Sequence, residues 1–270
     1  MLRSSNPVLS RRDAFTPGQS GHQFDDGMSG YRTTQQPGPI PPSGGTGRMT
    51  IDDVLTKTAV LLGVLVLTAG AAWMLVPPAF VYPALIGSGL IGFVLSFVVA
   101  IRRRINPVLA GIFAVVEGVF VGMLSMVFEQ FYTGIVVTAV FSTMVAAGVT
   151  LAAYKFLNVR VRGLVAKVAM VGTIAFAFAM LANLGLSFVG VDLGLRAGVT
   201  GPVGWLPILV SGIAVVLCVL NLFLDFQYIE NGIRMGAPAN ESWRAAFGLM
   251  VTLVWLYVEL LRILSYFRRG

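Results

Sequence analysis

Four ionisable residues lie inside stretches apolar enough to belong in a membrane, and any chemistry of this 270-residue chain would centre on them. Glu117 interrupts "AVVEGVFVG", Asp225 sits in "NLFLDFQYIENG", and Glu259 and Arg262 lie in "WLYVELLRIL". Charge in hydrocarbon is costly unless it faces water, a partner or the interior of a bundle. Local partners exist at helical spacing. Glu259 and Arg262, at i and i+3, can pair on one face, and Asn221, at i−4, puts an amide beside Asp225. The two acids can also meet each other. On an antiparallel hairpin turning near residues 235–243, Asp225 lies about 10 residues before the turn and Glu259 about 16 after it. That is an axial mismatch of about 9 Å, which helix tilt can reduce. Carboxylates brought together out of water share a proton rather than both ionising, so Asp225 and Glu259 are read as a pH-sensing pair. With Glu117, Asn221 and Asn183 they also offer oxygens for weak, transient calcium binding. Calcium favours about six to eight oxygens, and conduction requires loose coordination.

Membrane helices must position these groups. Hydrophobic residues make up 56% of the chain and charged residues 11%, far from a soluble composition. A bilayer core needs about 20 apolar residues per helix. Spans are expected at 54–76, 80–101, 108–128, 133–154, 164–189, 205–232 and 244–266. Thr50 before Asp52 and Asp53 predicts a cap for the first helix, and "VPPAFVYP" breaks the first hairpin. Residues 1–48, rich in Ser, Gly, Pro and Gln, have no apolar run and read as a disordered tail without a signal peptide. Residues 49–270 form the membrane domain.

Loop charges set the orientation. With the tail in the cytoplasm, inner loops and their edges hold Arg102, Arg103, Arg104, Lys155, Arg160, Arg162, Lys167, Arg234 and Arg244. Outer loops hold only Arg196. Seven crossings place Arg268 and Arg269 outside, whereas re-entry of "LDFQYIENGIRMGAP" would return them inside. The net charge of +7 follows from this loop bias rather than from a nucleic-acid patch. One Cys and one His exclude disulfide frameworks and His- or Cys-based metal sites, and no tightly bound cofactor is expected. No nucleophile, base and orienter set suggests an enzyme. Small residues in "GSGLIGFVLS", "GVFVG" and "GTIAFAFAM" point to close helix packing. The Gly, Ala and Val richness favours a bacterial cytoplasmic membrane.

Three segments resemble the Bax inhibitor-1 family, in its bacterial YccA-like branch. "LDFQYI" resembles the family's penultimate-helix motif, "LYVELLRIL" its last-helix motif, and "VEGVFVGMLS" its third-helix segment. The likeness extends over roughly residues 50–267. It implies an all-α membrane protein, a seven-helix bundle with the last helix near its centre, and a pH-dependent calcium leak gated by paired carboxylates. Asp225 matches the first acid of that pair and Glu259 the second, where the family usually has Asp. Some bacterial members are thought to pair an acid in helix two with an Arg at its cytoplasmic end. Arg102 matches that Arg, but span two holds no acid, so the latch is absent or Glu117 supplies it from helix three. Expected partners are the bilayer, calcium, protons and a membrane protein. Family members that restrain a membrane protease suggest the alternative of a non-conducting regulatory protein.

Overall fold

Thr50 begins the first helix as its sequence predicts. Its Oγ1 accepts the Asp53 amide at 3.2 Å, and Asp52 and Asp53 occupy the first turn, where unpaired N–H groups favour acids. The computed structural model describes residues 47–102, 105–157, 159–191 and 193–269. The expected tail therefore lies, except for its last two residues, outside the described residues, as do Arg103 and Arg104.

Among the described residues there are seven α-helices: α1 (Ile51–Leu75), α2 (Val81–Ile101), α3 (Pro107–Phe131), α4 (Ile135–Phe156), α5 (Leu164–Phe188), α6 (Trp205–Arg234) and α7 (Glu241–Phe267). Every end falls within three residues of the expected span. All seven are long and apolar enough to cross a membrane, and no strand occurs among the described residues. The protein is an all-α, multi-pass membrane protein.

Local chemistry sets the breaks. Pro77 and Pro78 stop α1 from continuing and lead through a short 3-10 turn into α2. Asn106 caps α3 by accepting the Val108 amide at 3.0 Å, with Pro107 at the first helical position. Gly134, at φ 80°, makes the tight turn into α4. The 30 residues of α6 run unbroken for about 45 Å, longer than the hydrocarbon core. Gly236, at φ 64°, then turns the chain into α7.

The last helix is central, as expected: α7 packs against α1, α3, α4 and α6. In contrast, α2 rests on α3 and α5 on α6. Close packing uses small residues because apolar burial alone gives little drive between helices in lipid. A Cβ on Gly118 would lie 2.6 Å from the Leu65 carbonyl oxygen, and one on Gly122 would lie 2.5 Å from that of Ala69. The glycines of "GVFVG" thus bring the α1 and α3 backbones together.

The bundle has two chemically different ends. At the end where α1 begins, Met49 N donates to Ala237 O and Ala239 N to Gly47 O, both at 2.8 Å, tying the entry of α1 to the α6–α7 turn. Arg244 Nη2 donates to Arg102 O there at 3.2 Å. At the far end, Tyr132 Oη donates to Val199 O at 2.9 Å, and Arg268 Nη1 to Thr133 O at 2.6 Å. These contacts pull the α5–α6 connection and the end of α7 onto the α3–α4 turn.

Candidate functional site

The helix register decides what each buried acid meets. Asp225 lies nine residues from the end of α6, and Thr252 lies eleven from the start of α7, so the two are nearly level. Thr252 Oγ1 donates to Asp225 Oδ2 at 2.7 Å. Glu259 comes seven residues after Thr252, about 10 Å further along α7. The mismatch expected between the acids is therefore kept rather than absorbed by tilt. The structure does not bring Asp225 and Glu259 into a shared hydrogen bond.

Glu259 instead meets Arg196, from the connection between α5 and α6. The guanidinium reaches Glu259 with both terminal nitrogens, Nη2 to Oε1 at 2.5 Å and Nη1 to Oε2 at 2.7 Å. This is the fork-on-carboxylate geometry of the strongest ion pairs. Ser211 Oγ takes a further bond from Arg196 Nη1 at 3.0 Å, and the Phe176 ring lies 5.4 Å from the guanidinium carbon. Trp255 Nε1 stands 3.4 Å from Glu259 Oε1. Glu259 is only 1% exposed and the Arg196 side chain 14%. Burial by itself pulls the Arg196 pKa down, but the hydrogen bonds and charge of Glu259 outweigh it and hold the pKa above the ordinary arginine range.

The local pairs read from sequence do not form. Arg262 makes no ion pair with Glu259, whose two oxygens are already taken by the longer-range partner. Asn221 turns away from Asp225 and uses its amide on Thr173 Oγ1 of α5, at 2.7 Å, and on Leu217 O, at 2.8 Å. Glu117 faces α2 beside Gly92, where a Cβ would lie 3.0 Å from Glu117 Oε2. Arg102 is exposed at the end of α2, ten residues beyond Gly92 and so about 15 Å along the axis, and no Glu117–Arg102 latch forms. Among the described residues, no three His, Cys, Asp or Glu side chains gather as a metal centre. Asp225 and Glu259 thus stand as two separate carboxylates along one helix interface.

A family model described as "Bax inhibitor 1 like" matches residues 6–269, nearly the whole chain. The chain belongs to the Bax inhibitor-1-like family. No curated protein matches it.

For this Bax inhibitor-1-like protein, several site residues carry little signal in sequence. Arg196 could have been suspected as the lone cation of the outer loops, set between glycines and apolar residues, with one deep acid in the last span. Thr252 and the buried pair Ser125–Tyr257, with hydroxyls 2.6 Å apart, look like ordinary helix residues. Glu230 is better signposted, with Arg234 one turn away; it binds Arg234, Arg160 and the Tyr154 hydroxyl and fastens the α4–α5 connection to the end of α6.

Proposed function

We propose that this protein is a calcium leak of a bacterial cytoplasmic membrane, sensitive to pH and without enzymatic activity, with its amino terminus in the cytoplasm. The closed path runs along α7 and is fastened at two levels. Toward the far, outer end the Arg196–Glu259 pair holds the α5–α6 connection into the bundle. Deeper in, the Thr252–Asp225 bond holds α6 to α7. The observation that carries this reading is the buried two-point bond between Arg196 and Glu259. It is a loop-borne counter-ion on an intramembrane acid, which is how a gate can be both stable and releasable.

In this reading pH acts through two separated carboxylates rather than through one shared proton. The outer fastening holds only while both partners carry charge. Arg196 stays charged throughout, since its raised pKa places its own titration in strong alkali. Once free, Glu259 and Asp225 offer calcium successive weak oxygen sites rather than one tight cage, in keeping with conduction.

Calcium loading of proteoliposomes containing only this protein tests the proposal. Flux above that of empty vesicles, with a pH profile altered by Glu259→Gln and by Asp225→Asn, supports it. Absence of flux at every pH rejects it.

One feature favours the regulatory alternative. α1 and α4 do not pack against each other, leaving an apolar groove of about 800 Å³ lined by residues that include Leu65, Ala69, Trp73, Val140, Met144 and Leu253. A membrane protein that bound there would be restrained without any ion flow, and the same flux assay separates the two readings.

A further inference from the structure

The end of α7 carries more buried positive charge than its neighbours offset. Arg262 and Tyr266 follow Glu259 at intervals of three and four residues, which keeps these three side chains on one side of the helix, and Arg269 lies just past its end. Arg262 Nε and all three guanidinium nitrogens of Arg269 are buried without a hydrogen-bond partner, and the Tyr266 hydroxyl is buried with no acceptor for its own proton. Tyr266 is itself 5% exposed. The Tyr266 hydroxyl lies beside the guanidinium groups of both Arg196 and Arg262. The guanidinium carbon of Arg269 lies 5.5 Å from the Tyr266 ring centre and 5.7 Å from that of Tyr132. Among the described residues Glu259 is the acid within reach, and Arg196 already occupies both of its oxygens. Three described cations, Arg196, Arg262 and Arg269, thus face one described carboxylate. Glu129, the next acid in this half of the bundle, is spent on the backbone amides of Gly134 and Val136.

Every unsatisfied group here can donate, and the arginines can do nothing else. Buried donors and unpaired charge are each costly, and an anion with several oxygens relieves both at once. A guanidinium fork matches phosphate oxygens in pairs. We propose that the far end of α7 is a binding site for a phosphate group, held by Arg262 and the Tyr266 hydroxyl with Arg269 at its outer edge. The site lies at the end of a membrane helix, so the phosphate can come from a lipid headgroup or from solution.

The test uses the full chain, purified in detergent and stripped of lipid. Thermal unfolding is followed while inorganic phosphate is raised against gluconate at constant ionic strength, and separately in nanodiscs of phosphatidylglycerol or of phosphatidylcholine. The wild type is expected to gain stability saturably. A gain with inorganic phosphate identifies a free anion, and a gain confined to phospholipid identifies the headgroup. Arg262→Gln should weaken the apparent affinity roughly tenfold or more, and Tyr266→Phe should weaken it less. If Arg262→Gln does not fold, Arg262→Lys tests the fork while keeping the charge. A wild type indifferent to phosphate in both settings, or variants that respond as it does, would overturn the site.

Discussion

Asp225 and Glu259 look alike in sequence, each an acid deep in a late apolar span, yet the two levels of the bundle treat them differently. The outer acid is closed by full charge, carried on a connection that folds back into the helices. The inner acid receives one hydroxyl from the neighbouring helix. A bond between charges out of water is strong while both partners remain and destructive once one is lost. A hydroxyl on a carboxylate is weaker in both respects. The outer level therefore suits an all-or-none fastening and the inner level a gentle adjustment.

The widest gap between the levels should appear with Arg196→Gln. It strands a buried carboxylate and is expected to cost about 3–5 kcal/mol in unfolding measured in detergent micelles. The double change Arg196→Gln with Glu259→Gln should recover most of that loss, because neither charge is then left alone. The pH sign is fixed by the raised Arg196 pKa: its contribution is full below the unfolded arginine value and fades only as pH climbs through the still higher folded one. The penalty of Arg196→Gln should therefore persist when unfolding is followed from neutral into mildly alkaline buffer.

A smaller effect belongs to the inner level. Thr252→Val removes the donor to Asp225 and should cost about 1–3 kcal/mol by the same measurement. Glu230→Gln sharpens the contrast between deeply buried and half-buried charge. Its partner Arg234 is exposed and Arg160 half-buried, so a loss much smaller than that of Arg196→Gln is expected, shrinking as salt is raised. The Arg196–Glu259 contribution should survive the same salt. Smallest of all, Asp225→Asn keeps an oxygen for Thr252 and should change stability by less than about 1 kcal/mol.

How much of this was legible beforehand depended on distance along the chain. Span lengths, the Thr50 cap, the Pro77–Pro78 break and the small residues at Gly118 and Gly122 are local signals, and each has its expected structural counterpart. The central place of α7 followed from the family resemblance. Asp225 and Glu259 were identifiable as buried acids because nothing else explains a carboxylate in an apolar helix, but their partners were not. Spacing on one helix suggested Asn221 for Asp225 and Arg262 for Glu259, and both gave way to contacts between elements. Arg196 lies on a 16-residue connection between α5 and α6, whose path has no periodicity to read. The roughly 10 Å offset between the acids was visible in the counting, and only the packing of α6 on α7 shows that it persists.

The most direct test of the proposed gate is calcium flux through proteoliposomes carrying a charge exchange. Wild type, Arg196→Glu, Glu259→Arg and the double exchange would be compared at one pH. The account predicts that either single change, which sets like charges against each other, raises the leak well above wild type, and that the double exchange restores the closed level. Equal flux from all four proteins, or a double exchange that leaks as the two singles combined, would contradict it.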